Sequence, residues 1–209
     1  MPDTLKQLVI VVLILGALTS LYLGAYAPFM KAKMYITALQ GMQSYGSLDV
    51  FEQAFDSVFS FPSPVGNPEV AKFLSGDVVD LTNSSSQPED VTRALVAYIT
   101  PHLATDRIQP LITLGQLYYV LWVRFHTQAD FDASAGYLEK ALTLGPKFAN
   151  TLYNLFALYQ SNPATQAQAK EVGKTILEYW PSDSRIADFV NGTSSSTASS
   201  TATSTTPAP

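Results

Sequence analysis

The sequence predicts an all-α protein: a single N-terminal transmembrane helix, a helical-repeat domain behind it and a polar tail. Three observations predict this. Leu8 to Ala27 is an apolar run with no charged residue. After Pro28, apolar residues recur three and four apart, the spacing of one helix face. No stretch shows the period-two alternation of a half-buried strand. The organisation expected is 1–28 as membrane anchor, 29–190 as helical domain and 191–209 as a disordered Ser/Thr/Ala/Pro-rich tail.

The anchor comes first. At about 1.5 Å per residue, a helix over Leu8 to Ala27 is long enough for the ~30 Å hydrocarbon core. A cleaved secretory signal is the competing reading. Its apolar stretch would exceed the usual ~7–15 residues. Ala25-Tyr26-Ala27 has the form of a cleavage box, but Pro28 would then be the first mature residue, where cleavage is blocked. A buried helix of a soluble protein is the third reading. The chain has no cysteine, which excludes a lipoprotein anchor, disulfides and thiolate catalysis.

The charge balance narrows the partners. There are 12 Lys+Arg against 17 Asp+Glu, a net charge of -5, and no basic run. Nucleic-acid binding therefore lacks its electrostatic footprint. A single-pass membrane location follows from the anchor. For orientation, Lys6 flanks one end and Lys31 and Lys33 flank the other. The tail from Thr193 to Pro209 has the composition of exposed cell-surface segments, which favours an extracytoplasmic domain.

The elements follow in order. Pro28 is expected to end or kink the anchor. A helical pattern resumes at Phe29 and runs to about Gln43; Gly41, Ser44 and Gly46 mark a turn. Leu48, Phe51, Phe55, Val58 and Phe59 form the apolar face of the next helix. Ser60 to Pro68 is a loop by its proline and glycine content. A helix with Val70, Phe73 and Leu74 starts near Glu69, and Thr82 to Pro88 is a second loop. Pro88-Glu89-Asp90 suits a first helical turn, and that helix stops near Pro101. Further helices are expected at about Asp106 to Phe125, from Asp130 or Asp132 to Gly145, at Lys147 to Gln160, at Pro163 to Tyr179 and at Ser182 to Val190.

Leu111 to Pro146 contains a repeat pattern. Leu114-Gly115-Gln116-Leu117-Tyr118 is followed by a second helix with Tyr137, Ala141 and a terminal Pro146. Gly115 and Ala141 are the small residues expected where the paired helices approach. A longer turn is expected around Thr127 to Ala129. A second unit carries Leu152, Leu155 and Tyr159, then Ala169 at the small position and Pro181 at the close, with Phe156 in place of a glycine. These residues resemble the tetratricopeptide repeat family over Leu111 to about Pro181. A degraded unit over Phe29 to Phe59 resembles it more weakly, through Phe51-Glu52-Gln53-Ala54-Phe55. The resemblance implies an α-solenoid and a concave groove for a protein or peptide partner.

A narrower resemblance exists. An apolar span, a proline step into a helix, and Gly66-Asn67-Pro68-Glu69-Val70 are similar to the C-terminal tail of O-antigen ligase or polymerase-like membrane proteins. That resemblance implies an accessory or detached part of a cell-envelope glycan ligase or polymerase system. The many-span body in which such catalysis resides is not part of the pattern here.

Transferring the tetratricopeptide groove pattern gives Gln109, Ile112, Gln116, Tyr119, Asn150, Tyr153 and Ala157 as the partner-binding groove. Tyr119 and Tyr153 are its expected aromatic anchors. The packing set is Leu114, Gly115, Tyr118, Tyr137, Ala141, Pro146, Tyr159, Ala169 and Pro181. The groove holds no lysine or arginine, which disfavours acidic C-terminal peptides as ligands.

No catalytic, metal or cofactor site is expected, and the chain reads as a non-enzymatic scaffold. The two histidines, His102 and His126, lack metal-ligand spacing. Asp77 with Asp80, and Asp130 with Asp132, sit near helix ends, where capping is the expected role. Asn83-Ser84-Ser85 and Asn191-Gly192-Thr193 fit the glycosylation acceptor pattern.

Overall fold

A computed structural model describes residues 3–42, 45–83 and 87–192. The described residues are helical, without a strand. They form two compact units, one within Met1–Pro146 and one within Lys147–Pro209. The tail from Thr193 onward, Ser44 of the first turn, and Ser84, Ser85 and Thr193 of the acceptor patterns lie outside the described residues.

The first unit opens with α1 (Asp3–Leu21) and α2 (Ala27–Gly41). Between them lies a π-helical turn, Tyr22–Tyr26. Pro28 explains this turn. It has no N–H for the carbonyl four residues back, and its ring crowds that carbonyl. The helix widens instead: the Ala27 N–H donates to the Tyr22 carbonyl, five residues back. Pro28, expected to end or kink the helix, does not end it. One helix of 39 residues runs from Asp3 to Gly41. Its apolar part has a mean hydropathy of 2.5, with none of that stretch buried, so it is long and apolar enough to cross a membrane.

From α2 onward the chain folds as helical hairpins. α2 packs on α3 (Leu48–Ser60), and α4 (Asn67–Asn83) on α5 (Glu89–Ile99). A 3₁₀ turn, Thr100–His102, leads toward α6 (Ile108–Phe125) and α7 (Gln128–Leu144). Across the hairpins, α3 meets α5 and α4 meets α6. Phe51, Phe55 and Val58 from α3 and Val70 and Leu74 from α4, read from sequence as apolar faces, enter the core with Val78 of α4, Leu95 and Ile99 of α5, and Leu114, Leu117 and Leu121 of α6. Ser47 caps α3 by accepting from the Val50 N–H, which fixes where that helix starts.

Polar clasps tie these helices together. Arg93 of α5 holds Asp130 of α7 through two parallel bonds of 3.0 Å and also reaches Glu89 at 2.8 Å. Arg124 of α6 donates to the Thr82 carbonyl at 2.6 Å and to the Gln87 carbonyl at 2.5 Å, closing the α4–α5 connection at both ends. Both guanidiniums lie over the Phe125 ring.

The second unit contains α8 (Ala149–Ser161), a 3₁₀ turn Pro163–Thr165, α9 (Gln166–Tyr179) and α10 (Ser184–Asn191). Leu152, Leu155, Leu158, Ala169, Ile176 and Ile186 are buried in it. Phe156 meets Phe189 edge-on at 5.0 Å between ring centres.

Candidate functional site

The α6–α7 pair carries the residues on which the repeat resemblance rests. Leu114, Gly115 and Ala141 are buried, and Tyr118 stacks on Tyr137 at 5.7 Å. The helices approach closely at Gly115, as expected. A Cβ placed on Gly115 would come within 2.5 Å of Leu138, whose atoms are its three nearest neighbours. The Gly115 carbonyl also accepts from the buried Ser134 hydroxyl at 2.8 Å. Leu138 thus crowds Gly115 most closely, and Ser134 belongs to the same contact.

The turn before α7 is also shorter than expected. α7 begins at Gln128, so only His126 and Thr127 separate the helices. His126 takes a left-handed φ of 56°, and its N–H closes α6 on the Trp122 carbonyl at 2.8 Å. The capping role given to Asp130 is likewise corrected: its carboxylate is the buried partner of Arg93. Asp132 is exposed and accepts from Gln128 one turn away.

In the second unit, Tyr159 and Ala169 are buried, while Pro146 of the first unit and Pro181 of the second lie exposed. A close approach in the second unit lies at Gly173, which the sequence pattern did not single out. A Cβ there would meet Val190 at 2.7 Å.

The groove residues divide between the units. On α6, Gln109 is exposed, and Gln116 and Tyr119 are half-buried. Burial pushes the Tyr119 hydroxyl pKa up. Ile112 is only 1 % exposed, so it offers no surface to a partner, and its place in an accessible groove is corrected. On α8, Asn150 is exposed, and Tyr153 and Ala157 are half-buried. Tyr153 is engaged within its own unit. Its hydroxyl donates to Asp183 at 2.6 Å, and Asp183 caps α10 by accepting from the Ile186 N–H at 3.1 Å. Both bonds favour the ionised carboxylate, which lowers the Asp183 pKa.

Two clefts open on the first unit. One, of ≈ 450 Å³, lies between α2 and α4; its wall is Ala32, Ile36, Leu39, Val70 and Phe73. Tyr35 donates to Asp77 at its edge, at 3.2 Å. Burial there raises the Asp77 pKa. The other, of ≈ 740 Å³, lies between the start of α4, residues 101–107 and the start of α6. Lys72, Arg107, Gln109 and Thr113 give it polar walls. Its floor includes the Phe59 ring stacked on His102 at 3.8 Å, nearly parallel. Burial in that stack pushes the His102 pKa down, which favours the neutral imidazole.

Phe73 belongs to both clefts and is 58 % exposed. Sequence periodicity placed it beside Val70 and Leu74, but only those two turn into the core. Of the groove residues taken from the repeat pattern, only Gln109 lines either cleft. Comparisons of the chain with protein-family models, with curated proteins and with solved structures give no match.

Proposed function

We propose that this chain is a membrane-anchored, non-enzymatic helical-repeat scaffold that captures a protein or peptide partner at the membrane surface. The observation that carries the reading is Phe73, a large exposed aromatic shared by an apolar cleft and a polar one. Aromatic and arginine side chains that a partner covers completely supply a large share of the affinity in protein interfaces. Arg107 lies on the same polar cleft. Gln109 and Thr113 would meet a partner's backbone. The helical hairpins support an α-solenoid reading, and the uncovered α1 supports an uncleaved anchor. The soluble units are placed on the extracytoplasmic side on the strength of the tail composition.

Site-specific photo-crosslinking in native membranes tests this. A crosslinker at Phe73 or Gln109 is expected to trap one protein partner, and Arg107→Glu is expected to reduce the adduct from Gln109. A crosslinker at Thr143, exposed on α7, should trap none. Adducts only from Tyr119 or Asn150 would move the site to the repeat-pattern groove. No adduct from any of these positions would contradict the scaffold reading.

A further inference from the structure

The helix that carries the apolar run changes surroundings within one turn. Ala17 and Ala25 are exposed on it, whereas Ala27, the last residue of the run, has no accessible surface. Lys31 follows one turn later on the same face and is 1 % exposed. Its ammonium donates to the Phe61 carbonyl at 3.1 Å and to the Phe59 carbonyl at 3.5 Å, at the end of α3. There it meets the negative end of that helix. Gly66 closes the other end of the loop on the same side chain. It has a φ of 109°, and a Cβ on it would lie 3.1 Å from the Lys31 chain. The loop 61–66 is therefore bonded to Lys31 at its start and packed against the Lys31 chain at its end.

This fixes the height of the loop. If the apolar run spans the bilayer, the hydrocarbon boundary falls at Ala27. Lys31 is four residues further on, about 6 Å along the helix axis. The headgroup layer is roughly 5–7 Å thick on each side. The loop reads Phe61-Pro62-Ser63-Pro64-Val65-Gly66, with no charge. Pro62 and Pro64 are exposed, and Val65 is 58 % exposed. Phe29, between Ala27 and Lys31, is 65 % exposed. No spacer separates the span from the folded unit, and the first exposed charge after the run is Lys33.

We infer that the loop 61–66, together with Phe29, is seated in the headgroup–acyl boundary of the bilayer that α1 spans, docking the first unit directly on the membrane. The inference rests on the reading of α1 as a spanning anchor. The occupant is a lipid surface because the patch is apolar, uncharged and continuous with the spanning helix. Contact is made by burial rather than by attraction to anionic lipid, so zwitterionic lipid suffices and salt does not release it.

The chain has no cysteine, so an introduced one is unique. Full-length protein carrying a spin label at Leu18→Cys, Val65→Cys or Thr143→Cys is reconstituted in phosphatidylcholine vesicles. Collision with dissolved oxygen and with a water-soluble nickel chelate then reads depth. The label at position 18 is expected deep in the hydrocarbon and that at 143 in water. The label at 65 is expected at the interface, several-fold less accessible to nickel than 143, and unchanged in high salt. A label at 65 as open to nickel as 143, with 18 still deep, overturns the docking and leaves the anchor. A label at 65 shielded from both reagents also overturns it, because protein then covers the loop. A label at 18 in water removes the anchor and the inference together. Adding Pro64→Asp to the chain labelled at 65 should expose it to nickel without moving the label at 18; no change would contradict the docking.

Discussion

Thr151 shows the residue scale at its plainest. Among the described residues its hydroxyl is buried without a hydrogen-bond partner. An unmet buried hydroxyl costs about 1–3 kcal/mol of desolvation. Thr151→Val is isosteric and removes that penalty. It should raise the urea midpoint, by on the order of 1 kcal/mol in stability; a lower midpoint would contradict the account. Two carboxylates carry opposite pH signs. The Asp77 pKa is raised by burial, so its ionised form opposes folding once the pH rises above the unfolded value of about 4. Asp77→Asn keeps an acceptor for Tyr35 and should stabilise at pH 7, with the advantage vanishing below about pH 4. The Asp183 pKa is lowered by Tyr153 and the Ile186 N–H, so its contribution is present above about pH 4 and is lost as the pH falls through the folded value. Asp183→Asn should therefore destabilise at pH 7 and lose its effect in acid. Equal pH profiles for the two variants would sink this assignment. Tyr153→Ala would disturb the α10 cap as well as any surface contact, so Tyr153→Phe is the better probe of the repeat-pattern groove.

At the scale of elements, the α6–α7 contact separates two registers. If Ser134 lay outside the contact, Ser134→Leu would be mild. With Ser134 buried against the Gly115 carbonyl, it should cost at least about 1–3 kcal/mol through overpacking alone, comparable to Gly115→Ala against Leu138. Chemical denaturation of the two variants decides; a negligible shift for Ser134→Leu would restore the sequence register. The apolar spacing was enough to read the helices and part of the core, because burial of Phe51, Phe55 and Val58 follows from their positions on one face. The register between helices was not legible. It depends on how His126 turns the chain, and a histidine at positive φ leaves no pattern in sequence that distinguishes it from a longer loop. The same holds for Lys31 and Arg124. Lys31 donates to main-chain carbonyls, and Arg124 to two carbonyls and the Thr92 hydroxyl, partners so common that no spacing announces them. Phe73 was readable as helical but not as exposed, because a shift of one residue on a helix turns a side chain by about 100°.

At the scale of the whole molecule, the central feature is one helix that leaves an apolar run bare and then becomes part of a folded unit. The charge count around it changes with the structure. Lys31 is buried and bonded to carbonyls, so it does not act as a free cation beside the lipid. Lys33 alone remains exposed on that flank, while Lys6 pairs with Asp3 at 3.2 Å on the other. The most direct test of the account is alkaline carbonate extraction of native membranes, followed by intact mass measurement of the retained chain. An uncleaved spanning α1 predicts that the full-length protein stays with the membranes and keeps residues 1–27. Release into the supernatant, or a mature chain starting at Pro28, would contradict it.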